Sequence, residues 1–419
     1  MEWKNCKIED APIAIIDGDC GKNYPKQGDF LNIGHCLFLN ASNVTKKGFD
    51  FNNCQFISED KDEKLRKGKL FQHDIVMTTR GTLGNVAYYH EKIGYEHIRI
   101  NSGMVIFRCD RNKLLPNFFY LFICSPLFIN QVNSLRSGVA QPQLPIKDIK
   151  TIKIKIPPLP IQQKIADILS KYDDLIENNR RRIDLLERSA RLLYKEWFVR
   201  LRFPGHEHTP IIDGIPEGWE KVKLQSIIKI FHGFAFRSEQ FVEQKTNTIV
   251  VRMGNFKEEG GLKFEEKDNK YLIENSYNEK YLLKPRDLLM VLSDVTRDGR
   301  IIGNVGFVPN DNNLYVLNQR VARIEAPEDL KLYLYCSFGS SLYKNHCLSR
   351  ANSVTVLNLK NDHIYEYQIL IPDHQRLLIF SGIVKSIVNN IHVLEQQNQK
   401  LKQARDILLP KLMNGEIEV

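Results

Sequence analysis

The spacing of hydrophobic positions changes character along this chain. Up to about residue 157 they come in short runs, IVMTT at 75–79, NVAYY at 85–89, MVIFR at 104–108 and TIKIKI at 151–156, separated by Gly, Asn and Pro. Short β-rich runs bounded by turn formers predict strands. A denser apolar stretch, LLPNFFYLFICSPLFI at 114–129, predicts one buried helix among them. It is shorter than the ~20 residues a membrane span takes, and it contains Pro116 and Pro126. Strands interleaved with a helix in this way predict an α+β domain.

From Ile161 to Phe198 the period becomes helical, with Ile161, Ile165, Ile168, Tyr172, Leu175, Ile176, Ile183, Leu186 and Leu193 at three- and four-residue steps. A second helical pattern runs from about 374 to 413 through Phe380, Ile383, Ile387, Ile391, Leu394, Leu401, Leu408 and Leu412, with Gly382 and Pro410 predicting bends near its ends. At ~1.5 Å per residue each pattern makes a rod of roughly 60 Å, too long for the core of one domain. Two rods of matched length with narrow apolar stripes bury those stripes against each other as an antiparallel coiled coil. The expected seam takes Ile168, Leu175, Asn179 and Leu186 from the first rod and Ile387, Leu394, Asn398 and Leu401 from the second. Asparagine at a seam position costs stability and sets register, which is the role expected of Asn179 and Asn398.

The β-rich part occurs twice. Trp3 matches Trp219, HDIVM at 73–77 matches RDLLM at 286–290, and GNVAYY at 84–89 matches GNVGFV at 303–308. INSGMVIFR at 100–108 then matches LNQRVARIE at 317–325, and LPIK at 144–147 matches LNLK at 357–360. A repeat of half the chain predicts two like domains related by a pseudo-twofold. The expected organisation is a first domain at 1–157, a central helix at 158–201, a Pro- and Gly-rich linker at 202–218, a second domain at 219–372 and a C-terminal helix and tail at 373–419.

Composition narrows the function. A chain of 419 residues, 42% hydrophobic, has material for two or three domains. Its net charge of +9 suits a polyanionic partner without requiring one. The eight cysteines lie scattered with no CxxC pair, which predicts reduced thiols and a cytoplasmic protein, as does a first stretch with no apolar leader. His206 and His208 have no third ligand nearby, so no metal site is expected. There is no GxxxxGK[ST] loop, GxGxxG turn, GxSxG elbow or HExxH helix. Ile156-Pro157-Pro158-Leu159 lacks the Asn or Asp and the aromatic that an adenine methyltransferase tetrapeptide needs.

The ordered pieces resemble a known family. IPPLPIQQKIADILSKYDDLIENNRRRIDLLE at 156–187, LYKEWFVRLRFPG at 193–205 and DILLPKLMNGEIEV at 406–419 look like the specificity subunit of type I restriction–modification enzymes, and the resemblance covers nearly the whole chain. The second copy departs from it at Ile371-Pro372-Asp373-His374-Gln375, where the first has the fuller proline turn. The resemblance implies a non-catalytic subunit with two target recognition domains, each binding half of a split double-stranded DNA target. It also implies two methyltransferase subunits as partners and restriction subunits joined through them, with no membrane involved. S-adenosylmethionine, ATP and Mg would then sit on those partners and no cofactor on this chain.

Contact residues are expected in four loops that offer forks, amides and hydroxyls to base edges and phosphates. In the first domain these are Thr78, Thr79 and Arg80 in one loop, and Arg136, Ser137, Gln141 and Gln143 in another. In the second they are Ser293, Thr296, Arg297 and Arg300, then Ser349, Arg350, Asn352 and Ser353. Two other classes compete: a free-standing DNA-binding regulator, which leaves the matched rods unexplained, and a fused nuclease or methyltransferase, which the missing motifs oppose.

Overall fold

The computed structural model describes the chain apart from residues 1–2, 46–47, 136–142, 265–267, 274–275, 297 and 352–355. The chain divides into two compact units, Met1–Glu177 with Gln397–Val419, and Asn178–Gln396. The first long helix, α1 (Leu159–Tyr194), and the last, α2 (His374–Asn414), each give one segment to either unit.

In the first unit three of the runs that predict strands join Ile13–Asp17 in a four-stranded antiparallel sheet. Its members are β1 (Ile13–Asp17), β2 (Ile75–Thr78), β3 (Val86–Tyr88) and β4 (Met104–Cys109), in the order β1-β4-β2-β3. Both faces are covered. Met77, Val105 and Phe107 enter a core with the phenylalanines of two short helices, while Val76, Met104 and Ile106 enter another with Leu37, Leu39 and Ile98. Burial on both faces is why these strands read as continuous apolar runs rather than alternating ones. The stretch 114–129 is not one helix but parts of two, Pro116–Cys124 and Pro126–Leu135, bent by 61°. Pro126 has no N–H for the ladder and its ring crowds the preceding turn. The Ser125 hydroxyl and N–H instead donate to the Phe122 carbonyl.

The second unit repeats this order with β5 (Lys229–His232), β6 (Leu288–Val291), β7 (Val305–Phe307) and β8 (Val321–Glu325), arranged β5-β8-β6-β7. The match extends to the backbone. His73 and Arg286, aligned by HDIVM and RDLLM, both take positive φ, 75° and 69°. Each unit also closes on its own start. Lys4–Lys7 pairs antiparallel with Lys153–Ile156, and Glu220–Lys223 with Gln368–Ile371, immediately before α1 and α2. That closure explains why a Trp-led segment occurs twice.

The long helices carry their stripes at heptad-like steps. Buried positions include Gln162, Ile165, Leu169, Ile176, Asn179, Ile183 and Ala190 in α1, and Leu377, Phe380, Val384, Leu394, Asn398, Leu409 and Leu412 in α2. Leu186, Ile387 and Leu401 lie half-buried along them. Two expected seam positions shift: Leu175 is 51% exposed and Ile168 only half-buried, and their neighbours Ile176 and Leu169 take the buried places. Adjacent apolar residues stand ~100° apart around a helix, so the pattern alone did not choose between them. In the first unit Ile165 and Leu169 share a core with Leu409, Leu412 and Met413, and Asp173 accepts from Arg405 at 2.6 Å. In the second, Ala190 and Tyr194 pack with Leu377, Phe380 and Val384. The paired segments are antiparallel in each. α2 is a continuous helix through Gly382 and Pro410.

A π-helical turn, Lys195–Val199, follows α1 and buries Trp197 and Phe198. Phe198 meets Tyr333 and Phe380 edge-on, each at 4.8 Å. The segment 202–218, expected as a linker, packs onto the second unit: Phe203 is buried against Trp219 at 4.6 Å, and Ile211–Ile212 pairs with Ile215–Pro216.

Candidate nucleic-acid interface

In the first unit the loop after β2 and the segment after residue 142 meet. Thr79 N–H donates to the Gly103 carbonyl at 2.8 Å, the Thr79 carbonyl accepts from Leu144 N–H at 3.1 Å, and Arg80 bridges Gln143. The turn is built by side chains that the sequence offered as contacts. Thr78 is fully buried, its hydroxyl donating to the Thr82 carbonyl and accepting from Asn85 N–H at 3.0 Å. Thr79 is also buried. These two threonines shape the loop, and Arg80 and Gln143 are the exposed members. Both line a cleft of about 370 Å³ with Asp17, Thr79 and Ser102.

The second unit makes the same junction. Leu292 N–H donates to the Arg320 carbonyl at 2.9 Å, the Leu292 carbonyl accepts from Leu359 N–H at 2.9 Å, and Ser293 pairs with Asn358. Bond for bond, Thr79 corresponds to Leu292, Arg80 to Ser293, Gln143 to Asn358 and Leu144 to Leu359. The match of LPIK with LNLK therefore shifts by two residues, because the hydrogen bonds place Leu144 opposite Leu359 rather than Leu357. Asn358 was missed for this reason.

The loop between β6 and β7 is longer than its counterpart and is anchored from within. Asp294, 1% exposed, accepts from Thr296 N–H and hydroxyl at 2.8 and 2.7 Å, and from Ile301 N–H at 2.6 Å. Lys344 donates to the carbonyls of Arg300 and Ile302 and to Asn304 Oδ1, while burial pulls its ammonium pKa down. Ser293 is buried and donates to Asn358 Oδ1 at 2.6 Å. Arg300 donates to Asp298 at 2.8 Å, which holds the Asp298 carboxyl below its usual range, and also to Glu258. Ser349 donates to the His346 carbonyl at 2.9 Å, and Arg350 pairs with Glu366 at 2.5 Å. Arg300 and Arg350 are thus already held by carboxylates. Arg136, Ser137, Gln141, Arg297, Asn352 and Ser353 lie outside the described residues. All eight cysteines are free thiols, and among the described residues no group of three or more His, Cys, Asp or Glu could hold a metal ion.

Two α+β units with matching loop junctions define a tandem repeat. The family model described as "Type I restriction modification DNA specificity domain" matches residues 2–188 and again 216–403. The chain belongs to that family and is a DNA-recognition subunit, not an enzyme, of a type I restriction–modification system. It is 26% identical over 355 residues to the type I restriction enzyme MjaIX specificity subunit of Methanocaldococcus jannaschii, covering 82% of this chain and 78% of that one. It is 22% identical to the HindI specificity subunit of Haemophilus influenzae, across 96% and 98% of the two chains. The fold is shared with the crystal structure of a type I S subunit from M. genitalium, with a TM-score of 0.53 and 16% identity over 99% and 96% of the chains.

Proposed function

We propose that this chain reads a split, asymmetric DNA target, one half by each unit, with the long helices spacing the two readers. The same subunit serves as the platform for two methyltransferase subunits, through which restriction subunits join, in the cytoplasm. S-adenosylmethionine, ATP and Mg belong to those partners. The supporting observation is the loop junction that recurs in both units hydrogen bond for hydrogen bond. Two copies of one reading surface with different exposed side chains suit two different short sequences. Arg80 and Gln143 in one unit and Asn358 in the other stand at these junctions and are the side chains we assign to the DNA.

Mapping methylated adenines in cells that carry this chain with its methyltransferase partner tests the proposal. The expected pattern is two short specified blocks around a gap of fixed length and free sequence. Replacing residues 1–157 with the first domain of another member should change one block only. A single continuous site, or both blocks changing together, overturns it.

A further inference from the structure

The two junctions differ in one telling way. Gly103 N–H donates to Asn101 Oδ1 at 2.9 Å, and Arg320 N–H donates to Asn318 Oδ1 at 3.3 Å. The carbonyls of the same two residues receive Thr79 and Leu292. Gly103 and Arg320 therefore occupy one structural position, and INSGMVIFR against LNQRVARIE aligns them too. In the first unit Gly103 lies across from Thr79, and its carbonyl also accepts from the N–H of the next residue, Arg80, at 3.3 Å. In the second Arg320 lies across from Leu292, the residue before Ser293. A Cβ placed on Gly103 would lie 3.7 Å from Cβ of Arg80, so side chains at these two positions start in contact with each other. Arginine at either position is rooted within one side-chain contact of the other.

Both guanidiniums are available. Arg80 is exposed and Arg320 partly so, and neither side chain has a hydrogen bond or ion pair among the described residues. Arg300 and Arg350 would each have to leave a carboxylate first. Arg80 N–H donates to the Gly103 carbonyl at 3.3 Å, while Arg320 N–H donates to Asn318 Oδ1 at 3.3 Å and its carbonyl accepts from Leu292 N–H at 2.9 Å. A root held in this way suits a directional fork on a base edge better than a loose contact with phosphate. An amide stands at each junction, Gln143 paired with Arg80 and Asn358 paired with Ser293.

Resting on the two-reader function above, we propose that Arg80 and Arg320 are the counterpart guanine-reading arginines of the two units. Arg320, rather than Arg300 or Arg350, sets specificity in the second. Arginine forking onto guanine O6 and N7 is the commonest base-specific contact in the major groove.

The test uses the full chain assembled with its methyltransferase partner. The probes are duplexes carrying the mapped target and every single-base variant of it, at fixed salt and across a salt series. Arg80→Ala should abolish the preference for one G·C pair in one half-site, about a 5- to 150-fold loss of discrimination, and Arg320→Ala should do the same in the other half-site. Arg80→Lys and Arg320→Lys keep the charge but lose the fork, so they should lose the same preference. Arg300→Ala and Arg350→Ala should leave every base preference in place. The transposed pair Ser293→Arg with Arg320→Gly should retain the guanine preference. Equal weakening on all duplexes with a shallower salt dependence makes these phosphate contacts and overturns the inference. So does a wild-type complex that discriminates while Arg320→Ala discriminates as well. A wild-type complex that binds every duplex alike removes the two-reader function itself, and this inference with it.

Discussion

The starts of the two long helices solve one structural problem with different chemistry. In the first unit the chain turns from its closing strand into α1 around Gln162, a fully buried amide. Its oxygen accepts from Leu115 N–H at 2.8 Å, and its nitrogen donates to the carbonyls of Pro157 and Lys113 at 2.7 and 3.2 Å. One neutral side chain satisfies three backbone groups. In the second unit the turn into α2 is charged. Asp373 accepts from Trp219 Nε1 at 3.1 Å and from Arg376 at 2.7 Å, and Arg376 lies over the Phe203 ring at 4.8 Å and donates to Thr209 at 3.1 Å. The departure IPDHQR from the proline turn of the first copy is thus a substitute fastening that ties segment 202–218, the Trp219 segment and α2 together. A neutral hub is indifferent to pH, and an ionic one is not.

That contrast can be broken most severely at the neutral hub. Gln162→Glu places a buried carboxylate against the carbonyls of Pro157 and Lys113, and should cost about 3–5 kcal/mol at pH 7. Burial raises the folded pKa of such a group above its unfolded value, so stability should return as pH falls through the raised value. Denaturant melts of the variant at pH 5 and 7 check this, and equal losses at both would refute a buried neutral hub.

A smaller effect is expected at the ionic fastening. Burial works to raise the Asp373 pKa, but Arg376, its own backbone N–H and the Trp219 N–H outweigh it and hold the carboxyl below the usual range. A lowered folded pKa gives stability that is present above the unfolded value of ~3.9 and disappears as pH falls through the folded one. Asp373→Asn should therefore cost about 1–3 kcal/mol near neutrality and flatten the acid limb of the second unit below about pH 4. Hydrogen exchange resolved by segment measures it, and protection lost in the first unit instead would count against the assignment. Smallest is Trp219→Phe, which keeps the packing on Phe203 but removes one donor, about 1 kcal/mol. A loss several times larger would show that the indole's bulk rather than its N–H fastens the turn.

Much of this was legible in the residues. Strand runs with turn formers between them, two helical stripes and an ordered repeat are local signals, because period and punctuation follow from backbone geometry at each segment. They sufficed for two α+β units and two long helices, while the family came from the resemblance carried by the segments at 156–187, 193–205 and 406–419. Within those elements the sequence could not choose Ile176 over Leu175 for the buried stripe, because two adjacent leucine-sized side chains are equally apolar and only the packed neighbour selects one face. It also offered Thr78 and Thr79 as contacts, since a hydroxyl shows nothing of whether it faces solvent or the turn that it closes. Arg300 and Arg350 looked as available as Arg80, because their carboxylate partners Asp298, Glu258 and Glu366 become partners only when the loops fold. The correspondence of Arg320 with Gly103 was present in the aligned residues. Its meaning came from tertiary structure alone, because the closeness of positions 80 and 103 depends on a hydrogen bond between strands distant in the chain.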